Sequence, residues 1–117
     1  MSPEQIRKAV EDFLNLLGKQ EKLQNRLIKL SGRDSDQEII ILQQLHTLER
    51  TIEFIDYALY EADVLTVKEE CAVIRRAEGL TLKELAAYLS YTRQGAENIL
   101  NRAYRKMADA ANKQNIS

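Results

Sequence analysis

Residues 79–107 read GLTLKELAAYLSYTRQGAENILNRAYRKM and contain two amphipathic segments joined by Ser90-Tyr91-Thr92. Apolar residues recur at helical spacing in both segments, which predicts one short helix followed by a longer one. Because the connection is so short, we expect the two helices to cross steeply, as in a helix-turn-helix, rather than to lie side by side as parallel rods. Ala86 and Ala96 are small enough to allow a close crossing beside the turn.

Five helix starts are visible along the chain. Four consist of Ser or Thr followed three positions later by Glu or Gln, the capping box in which each side chain accepts a hydrogen bond from the other residue's backbone amide. The fifth, at Thr92, has a cap residue without a reciprocal Glu. The four boxes are Ser2 with Gln5, Ser35 with Glu38, Thr66 with Glu69, and Thr81 with Glu84.

These starts predict an all-α protein with helices over residues 3–30, 36–63, 69–78, 82–89 and 93–110. Gly18 is expected to kink or divide the first helix, because Gly costs about 1 kcal/mol relative to Ala in a helix interior. Gly32, in the polar linker 31–34, suits a left-handed residue at that helix's end. We therefore expect a long helical hairpin, coiled-coil-like, over residues 1–64, followed by a three-helix unit over residues 65–117.

The helix predicted over residues 36–63 has the most regular apolar pattern in the chain. Its apolar residues are spaced 4-3-4-3-4-3, which is typical of a coiled coil. Such a seam is longer than one hairpin partner requires, so two interpretations stay open: an intramolecular core, or a homodimer formed through this helix. The seam consists of Ile41, Leu45, Leu48, Ile52, Ile55, Leu59 and Ala62.

The composition favours a small cytoplasmic protein over a membrane or secreted one. A chain of 117 residues with 4 Gly and 1 Pro has few turns, and 44% hydrophobic residues suffice for a core. No apolar run approaches the roughly 20 residues that a membrane span needs. The segment MSPEQIRKAV lacks the apolar core of a signal peptide, and one cysteine builds no disulfide framework.

Charge is divided unevenly along the chain, although the net charge is −1. Residues 1–65 hold 8 Lys and Arg against 12 Asp and Glu, whereas residues 66–117 hold 9 against 6. The basic excess lies after position 92. This asymmetry is typical of a nucleic-acid-binding unit joined to an acidic scaffold.

Residues 65–107 resemble region 4 of bacterial sigma factors and the sigma-like helix-turn-helix of small phage transcription regulators. The shared pattern comprises EGLT, then LKELAAYL, then a helix with a late R-A-x-x-K-M run, over somewhat more than a third of the chain. The layout is similar to phage late-gene activators of the ArpU and RinA type. That resemblance implies a DNA-binding transcription regulator in a bacterial host cell, with RNA polymerase as a further partner. The matching residues are Gly79, Thr81, Glu84, Leu85, Ala86, Leu89, Thr92, Arg93, Arg102, Ala103, Lys106 and Met107.

The helix over residues 93–107 is expected to enter the major groove of double-stranded DNA as the recognition helix. Arg pairs with guanine, and Gln or Asn pairs with adenine, through two hydrogen bonds each. In the sigma family the positions that match Arg93, Gln94 and Asn98 contact promoter bases. The expected base-reading residues are Arg93, Gln94, Glu97 and Asn98, and the expected phosphate-binding residues are Thr92, Asn101, Arg102, Arg105 and Lys106.

Two positions depart from the sigma pattern: Ser90 stands where the turn often has Gly, and Glu97 stands where a basic residue is frequent. Two other functions stay open. One is a phage small terminase subunit, although such proteins usually place the DNA-binding part first. The other is a module that binds RNA polymerase or a sigma factor and never touches DNA.

Enzymatic activity is not expected, because nothing resembles a phosphate loop, a metal cluster or a nucleophile with a base. No catalytic residue, metal ligand or cofactor is therefore predicted. Cys71 is expected to be a small core residue. His46 lies near the seam, without partners at ligand spacing.

Overall fold

The structure, a computed structural model, describes residues 1–30 and 32–116. Its regular elements in these residues are helices, with no strand among them. The prediction of an all-α protein is therefore confirmed. Ser31, in the predicted linker, lies outside the described residues. The α-helices are α1 (Pro3–Glu11), α2 (Phe13–Leu30), α3 (Ser35–Asp56), α4 (Val67–Ala77), α5 (Leu82–Leu89) and α6 (Arg93–Ile116).

Three of the four predicted capping boxes are confirmed. At Ser2, Thr66 and Thr81 the hydroxyl accepts from the backbone N–H three residues later, and the Gln or Glu there accepts from the cap residue's own N–H. Each cap satisfies donors that the first helical turn leaves unpaired, and a cap of this kind contributes about 1 kcal/mol. These boxes begin α1, α4 and α5.

The capping box predicted at Ser35 is wrong. Asp34 caps α3 instead: its backbone is extended, and its Oδ1 accepts from the N–H of Gln37 at 3.1 Å. Glu38 accepts from the backbone N–H of Gly32 rather than from the cap residue. Asp caps a helix at least as well as Ser, so the helix begins one residue earlier than the Ser-x-x-Glu pattern predicts.

The first predicted helix divides at Asp12 and not at Gly18. Asp12 has φ −100° and ψ 8°, but its N–H still donates to Lys8 O and its carbonyl still accepts from the N–H of Leu16, both at 3.0 Å. The interruption is therefore a bend of one residue. The Asp12 carboxylate accepts from the side chain of Asn15 at 2.6 Å, a local bond of the kind by which Asp competes with regular helix geometry.

The predicted seam faces the interior of the same chain. Ile41, Leu45, Ile55 and Leu59 are buried, and the other three seam positions are half-buried. Regular helix ends at Asp56, because Tyr57–Glu61 continues as a π-helical segment in which the N–H of Ala62 donates to Tyr57 O at 2.9 Å. Four of the seven seam positions are therefore buried within the single chain.

In the pairing of α2 with α3, fully buried side chains such as Ile41 and Leu45 belong to α3. No residue of α2 is fully buried, and the two helices run past each other in opposite order: Arg26 shares a depression with Gln44, whereas Leu17 shares one with Ile55. Large apolar side chains remain exposed near the end of this pair. They are Ile28, Ile39, Ile40 and Leu42.

One core unites α1 with the helices that follow residue 65. Ile6 and Val10 of α1 pack in the same buried cluster as Val73 of α4, Leu85 of α5 and Met107 of α6. The cluster thus contains residues from both sides of the division predicted between residues 64 and 65. Among the described residues, none of the helices has both the length and the apolar character needed to cross a membrane.

The connection between α4 and α5 is a glycine turn. Gly79 has φ +104°, which a residue with a Cβ rarely adopts, and its N–H donates to Arg76 O at 3.1 Å. The N–H of Leu80 donates to Arg75 O at 3.2 Å, so the two bonds satisfy carbonyls that the end of α4 leaves unpaired.

The connection between α5 and α6 has the same form, but without glycine. Ser90 has φ 60° and ψ 39°, its N–H donates to Ala87 O at 3.2 Å, and the N–H of Tyr91 donates to Ala86 O at 2.9 Å. The left-handed backbone costs a residue with a Cβ about 1–2 kcal/mol. Ser90, which stands where the sigma pattern often has Gly, therefore has a strained backbone.

Candidate nucleic-acid interface

One face of α6 is buried and the opposite face is uncovered. Ala96, Leu100, Ala103, Tyr104 and Met107 pack in the core, where α6 contacts α1, α4 and α5. The helix continues to Ile116, six residues beyond its predicted end at position 110. The uncovered face carries only polar and basic side chains over the predicted recognition segment. These are Gln94, Asn98, Asn101, Arg102 and Arg105.

The first turn of α6 is capped as the sequence predicts. The hydroxyl oxygen of Thr92 accepts from the backbone N–H of Gly95 at 3.0 Å. The other N–H groups of the first turn have no partner within the helix, and the helix dipole adds partial positive charge there. Arg93 is exposed in the same turn. This end of α6 therefore combines a guanidinium, a hydroxyl and backbone donors, which together favour an anion.

Two of the predicted base-reading residues are bonded to each other. Nε2 of Gln94 donates to Oδ1 of Asn98 at 3.1 Å, one helical turn away, and both side chains are exposed. The bond fixes the relative orientation of the two amides. It leaves the Asn98 amide nitrogen as a donor and the Gln94 carbonyl as an acceptor, the two functions that an adenine edge requires.

The predicted phosphate-binding residues fall into two groups. Asn101, Arg102 and Arg105 are exposed and share one shallow depression with Asn98. Lys106 lies at the border of the buried face, where its Nζ donates to Oε1 of Glu69 at 2.7 Å. Lys106 is therefore engaged with the protein's own carboxylate, whereas the other three side chains are open to an external partner.

Glu97 occupies an intermediate position. Its side chain is half-buried at the edge of the uncovered face rather than in its centre, although it was predicted to read bases with Asn98. The sequence pattern does not indicate this partial burial, because it depends on how α6 packs on the other helices. A carboxylate near the groove-facing side chains would repel phosphate, and it could accept only from the amino groups that cytosine and adenine present in the major groove.

Sequence reasoning missed a cluster between α1, α4 and α6. Tyr104 was not assigned to a site, but its ring is buried and its hydroxyl has no hydrogen-bond partner among the described residues. Burial raises the pKa of the Tyr104 hydroxyl above its usual value; Glu11 adds to this, whereas Arg76 and Arg7 oppose it. Two of these charged residues lie on α1 and one on α4, so no local sequence motif joins them to Tyr104 on α6.

Cys71 was expected to be a small core residue, but it is not part of the buried cluster. Cys71 is half-buried, with its Sγ 3.9 Å from the hydroxyl of Tyr88, and His46 is exposed. In the part of the chain that the structure describes, no group of three or more His, Cys, Asp or Glu residues could hold a metal ion. Tyr91 in the turn packs on Lys68, whose ammonium lies 4.6 Å from the ring centroid.

Comparison of the chain with family models, with curated proteins and with solved structures gives no match. The likeness to sigma region 4 therefore rests on the residues of 65–107 alone.

Proposed function

We propose that this protein is a sequence-specific, double-stranded-DNA-binding transcription regulator, similar in type to phage late-gene activators, that acts in the cytoplasm of a bacterial host. In this proposal α2 and α3 form an antiparallel hairpin, and α4, α5 and α6 form a sigma-region-4-like helix-turn-helix. The segment 93–107 of α6 enters the major groove. No enzymatic step and no cofactor is involved.

The observation that carries the proposal is the uncovered polar and basic face of α6. A surface helix needs one apolar face for the core, and its other face ordinarily carries mixed charges. On α6 the uncovered face over residues 94–105 has two arginines and three amide side chains and no carboxylate. Amides and guanidiniums are the groups that pair with base edges and phosphates in a major groove.

The proposed contacts divide into two kinds along α6. Arg93, Gln94 and Asn98, in the first two turns, would read base edges, because the first turns of a recognition helix reach deepest into the groove. Thr92 and Arg102 would contact phosphates on either side. Lys106 is left out of the proposed phosphate contacts, since it is bound to Glu69.

Self-association through the hairpin is a further part of the proposal. The coiled-coil seam is used within the chain, so a second copy would contact the apolar side chains that remain exposed, among them Ile39 and Leu42 of α3. Two copies would place two recognition helices on a two-fold site, as in other helix-turn-helix dimers. Light scattering of the purified protein distinguishes this dimer from the ring of many subunits that a small terminase subunit would form.

The proposal is tested by selecting fragments that the purified protein binds from bacterial and phage genomic DNA, followed by titration of the selected duplex. Asn98→Ala is expected to weaken binding to the selected site by about 1–3 kcal/mol and to relax discrimination at one base pair. Arg102→Gln is expected to weaken binding to all duplexes alike and to lower the slope of log affinity against log salt by about 0.9. Arg50→Gln, on α3, is the matched control. The proposal is contradicted if the wild type does not bind duplex DNA, or if all variants bind the selected duplex with the same affinity.

A further inference from the structure

A depression of about 250 Å³ lies where the start of α1 meets the middle of α6. It is on the side of α6 next to the proposed DNA-binding face, and it shares two residues with the shallow depression there, Asn101 and Arg105. Its lining comprises Pro3, Glu4, Arg7, Asn101, Tyr104 and Arg105. Residues that carry two guanidiniums, one amide and one phenol therefore line one depression between two helices.

Two of these residues carry donors that the protein itself does not use. The hydroxyl of Tyr104 is buried and has no hydrogen-bond partner among the described residues, and the same holds for Nε of Arg7. The Tyr104 side chain is 2% exposed, so its hydroxyl has been withdrawn from bulk water. Leaving a buried polar group unpaired is unfavourable, and a ligand with acceptor oxygens that enters the depression would remove this cost at each donor it reaches.

The only carboxylate that lines the depression, Glu4, sets the charge balance. Oε1 of Glu4 lies 2.5 Å from Nη2 of Arg7, and both side chains are about half exposed. An ion pair this exposed contributes little stability, so Arg7 can exchange Glu4 for a stronger acceptor at small cost. Among the lining side chains, Arg7 and Arg105 stand against Glu4, which leaves one excess positive charge. Glu11 lies outside the lining and also acts on the Tyr104 hydroxyl, but it is paired with Arg76 at 3.5 Å.

We propose that this depression binds one phosphate group of the DNA backbone, held by the guanidiniums of Arg7 and Arg105, the amide of Asn101 and the hydroxyl of Tyr104. The inference rests on the proposed function, and it adds α1 to the DNA-binding surface. Arginine holds phosphate through two parallel bonds, and a neutral hydroxyl donor beside it adds a third. The same side chains would also bind free inorganic phosphate, so the experiments distinguish a DNA phosphate from a free phosphate ion.

Tyr104→Phe is the most informative variant, because it removes one oxygen and keeps the packed ring. If the hydroxyl binds phosphate, affinity for a short mixed-sequence duplex falls roughly tenfold, the effect of one lost bond to a charged group. Thermal stability without DNA stays equal or rises, because an unpaired buried hydroxyl is gone. A purely structural hydroxyl would not separate binding from stability in this way. Tyr60→Phe, at an exposed position, is the matched control.

Two charge variants of α1 should act in opposite directions. Arg7→Gln is expected to weaken duplex binding and to lower the slope of log affinity against log salt by about 0.9, the value for one phosphate contact. Glu4→Gln is expected to strengthen duplex binding severalfold, because it removes the carboxylate that competes for Arg7. Binding of inorganic phosphate to the wild-type protein is measured separately, by titration monitored through the NMR signals of the arginine Nε–H groups.

Each outcome decides the inference. Weaker binding by Tyr104→Phe and Arg7→Gln, with tighter binding by Glu4→Gln, supports a backbone phosphate. If these variants bind duplex as the wild type does while Arg102→Gln binds more weakly, the inference is wrong and the proposed function stands. If inorganic phosphate saturates the site without any change in duplex binding, the site is for free phosphate and the inference is also wrong. Absence of duplex binding by the wild type overturns both.

Discussion

Lys106 of α6 reaches back to Glu69 of α4, with its Nζ 2.7 Å from Oε1 of the carboxylate. The same Oε1 also accepts from the backbone N–H of Thr66 at 2.9 Å, as the reciprocal bond of the capping box. Glu69 is the buried charged residue of the core region, with 3% of its surface exposed. One carboxylate therefore caps α4 and ties α4 to α6, which fixes the helix that we propose to carry the DNA-binding face.

Lys106→Met should lower stability without much change in DNA binding. The variant keeps the aliphatic stem but leaves the Glu69 carboxylate with the backbone N–H of Thr66 as its donor. Removing a hydrogen bond from a buried charged group costs about 1.5–3 kcal/mol. Urea unfolding of the full chain measures this loss. Affinity for duplex DNA at fixed salt is expected to stay close to that of the wild type, because Lys106 is held by Glu69.

Arg102→Met is the matched comparison on the same helix. Arg102 is exposed and forms no ion pair within the described residues. The free energy of unfolding of the variant is therefore expected to differ from that of the wild type by less than about 0.5 kcal/mol. Its affinity for DNA is expected to fall. The two variants should thus separate stability from binding. A stable Lys106→Met protein that binds DNA poorly would show that Lys106 leaves Glu69 and contacts phosphate.

Stability should fall on acidification, in part through Glu69. Burial acts to raise the pKa of Glu69, but hydrogen bonds from Lys106 and Thr66 outweigh it, so the pKa of Glu69 lies below its ordinary value of 4.5. A carboxyl group with a lowered pKa in the folded state stabilises the protein fully above its unfolded-state pKa. That contribution is lost as the pH falls through the folded-state pKa.

The measurement is the free energy of unfolding at several pH values from neutral to below 4.5. The wild type is expected to lose stability below that pH, and Glu69→Gln is expected to be less stable at neutral pH with a flatter acid limb. Thr81 bonds Glu84 in the same way and lowers the pKa of Glu84, so a part of the acid limb should remain in Glu69→Gln. Parallel curves for the two proteins would contradict the role given to Glu69.

The local signals in the sequence predicted the helices well, and the tertiary details poorly. The boxes at Ser2, Thr66 and Thr81 involve residues three positions apart, so the sequence contains the whole interaction. At Asp12 the carboxylate bonds the Asn15 side chain, an interaction that competes with regular helix geometry. Gly18 only has a low helix propensity, and α2 continues through it. The box at Ser35 failed because a better cap, Asp34, precedes it by one residue.

For the candidate site, the sequence indicated which residues share a face but not which of them are engaged elsewhere. Helical spacing placed Asn98 and Arg102 on the polar side of α6, where the structure has them exposed. The engagement of Lys106 by Glu69 joins residues 37 positions apart, and the approach of Arg7 to Tyr104 joins two helices at opposite ends of the chain. Pairings over such distances are set by tertiary packing, which the local pattern does not encode.

Ser90→Gly is expected to stabilise the protein by about 1 kcal/mol. The left-handed backbone at Ser90 is strained for a residue with a Cβ, and the gain from relieving this strain exceeds the entropy that glycine adds to the unfolded chain. Urea unfolding measures the change. Ser90→Ala is the control: it keeps the Cβ and should give no gain. Equal stability of the two variants would show that the turn is not strained.

Ile6→Ala tests whether α1 belongs to the core of the proposed DNA-binding unit. Ile6 is 1% exposed and packs in the cluster that includes Met107, so removing its three carbons should cost about 2–5 kcal/mol. Val67→Ala truncates an aliphatic side chain at a position 85% exposed on α4, outside the proposed self-association surface, and it should change stability by less than about 0.5 kcal/mol. Urea unfolding of both full-length variants gives the comparison.

If Ile6→Ala unfolds in two steps, with the second as stable as in the wild type, α1 and the helices after residue 65 fold separately and the single shared core is wrong. A single transition shifted to lower urea supports one cooperative unit, because loss of α1 contacts then weakens the support of α6 directly.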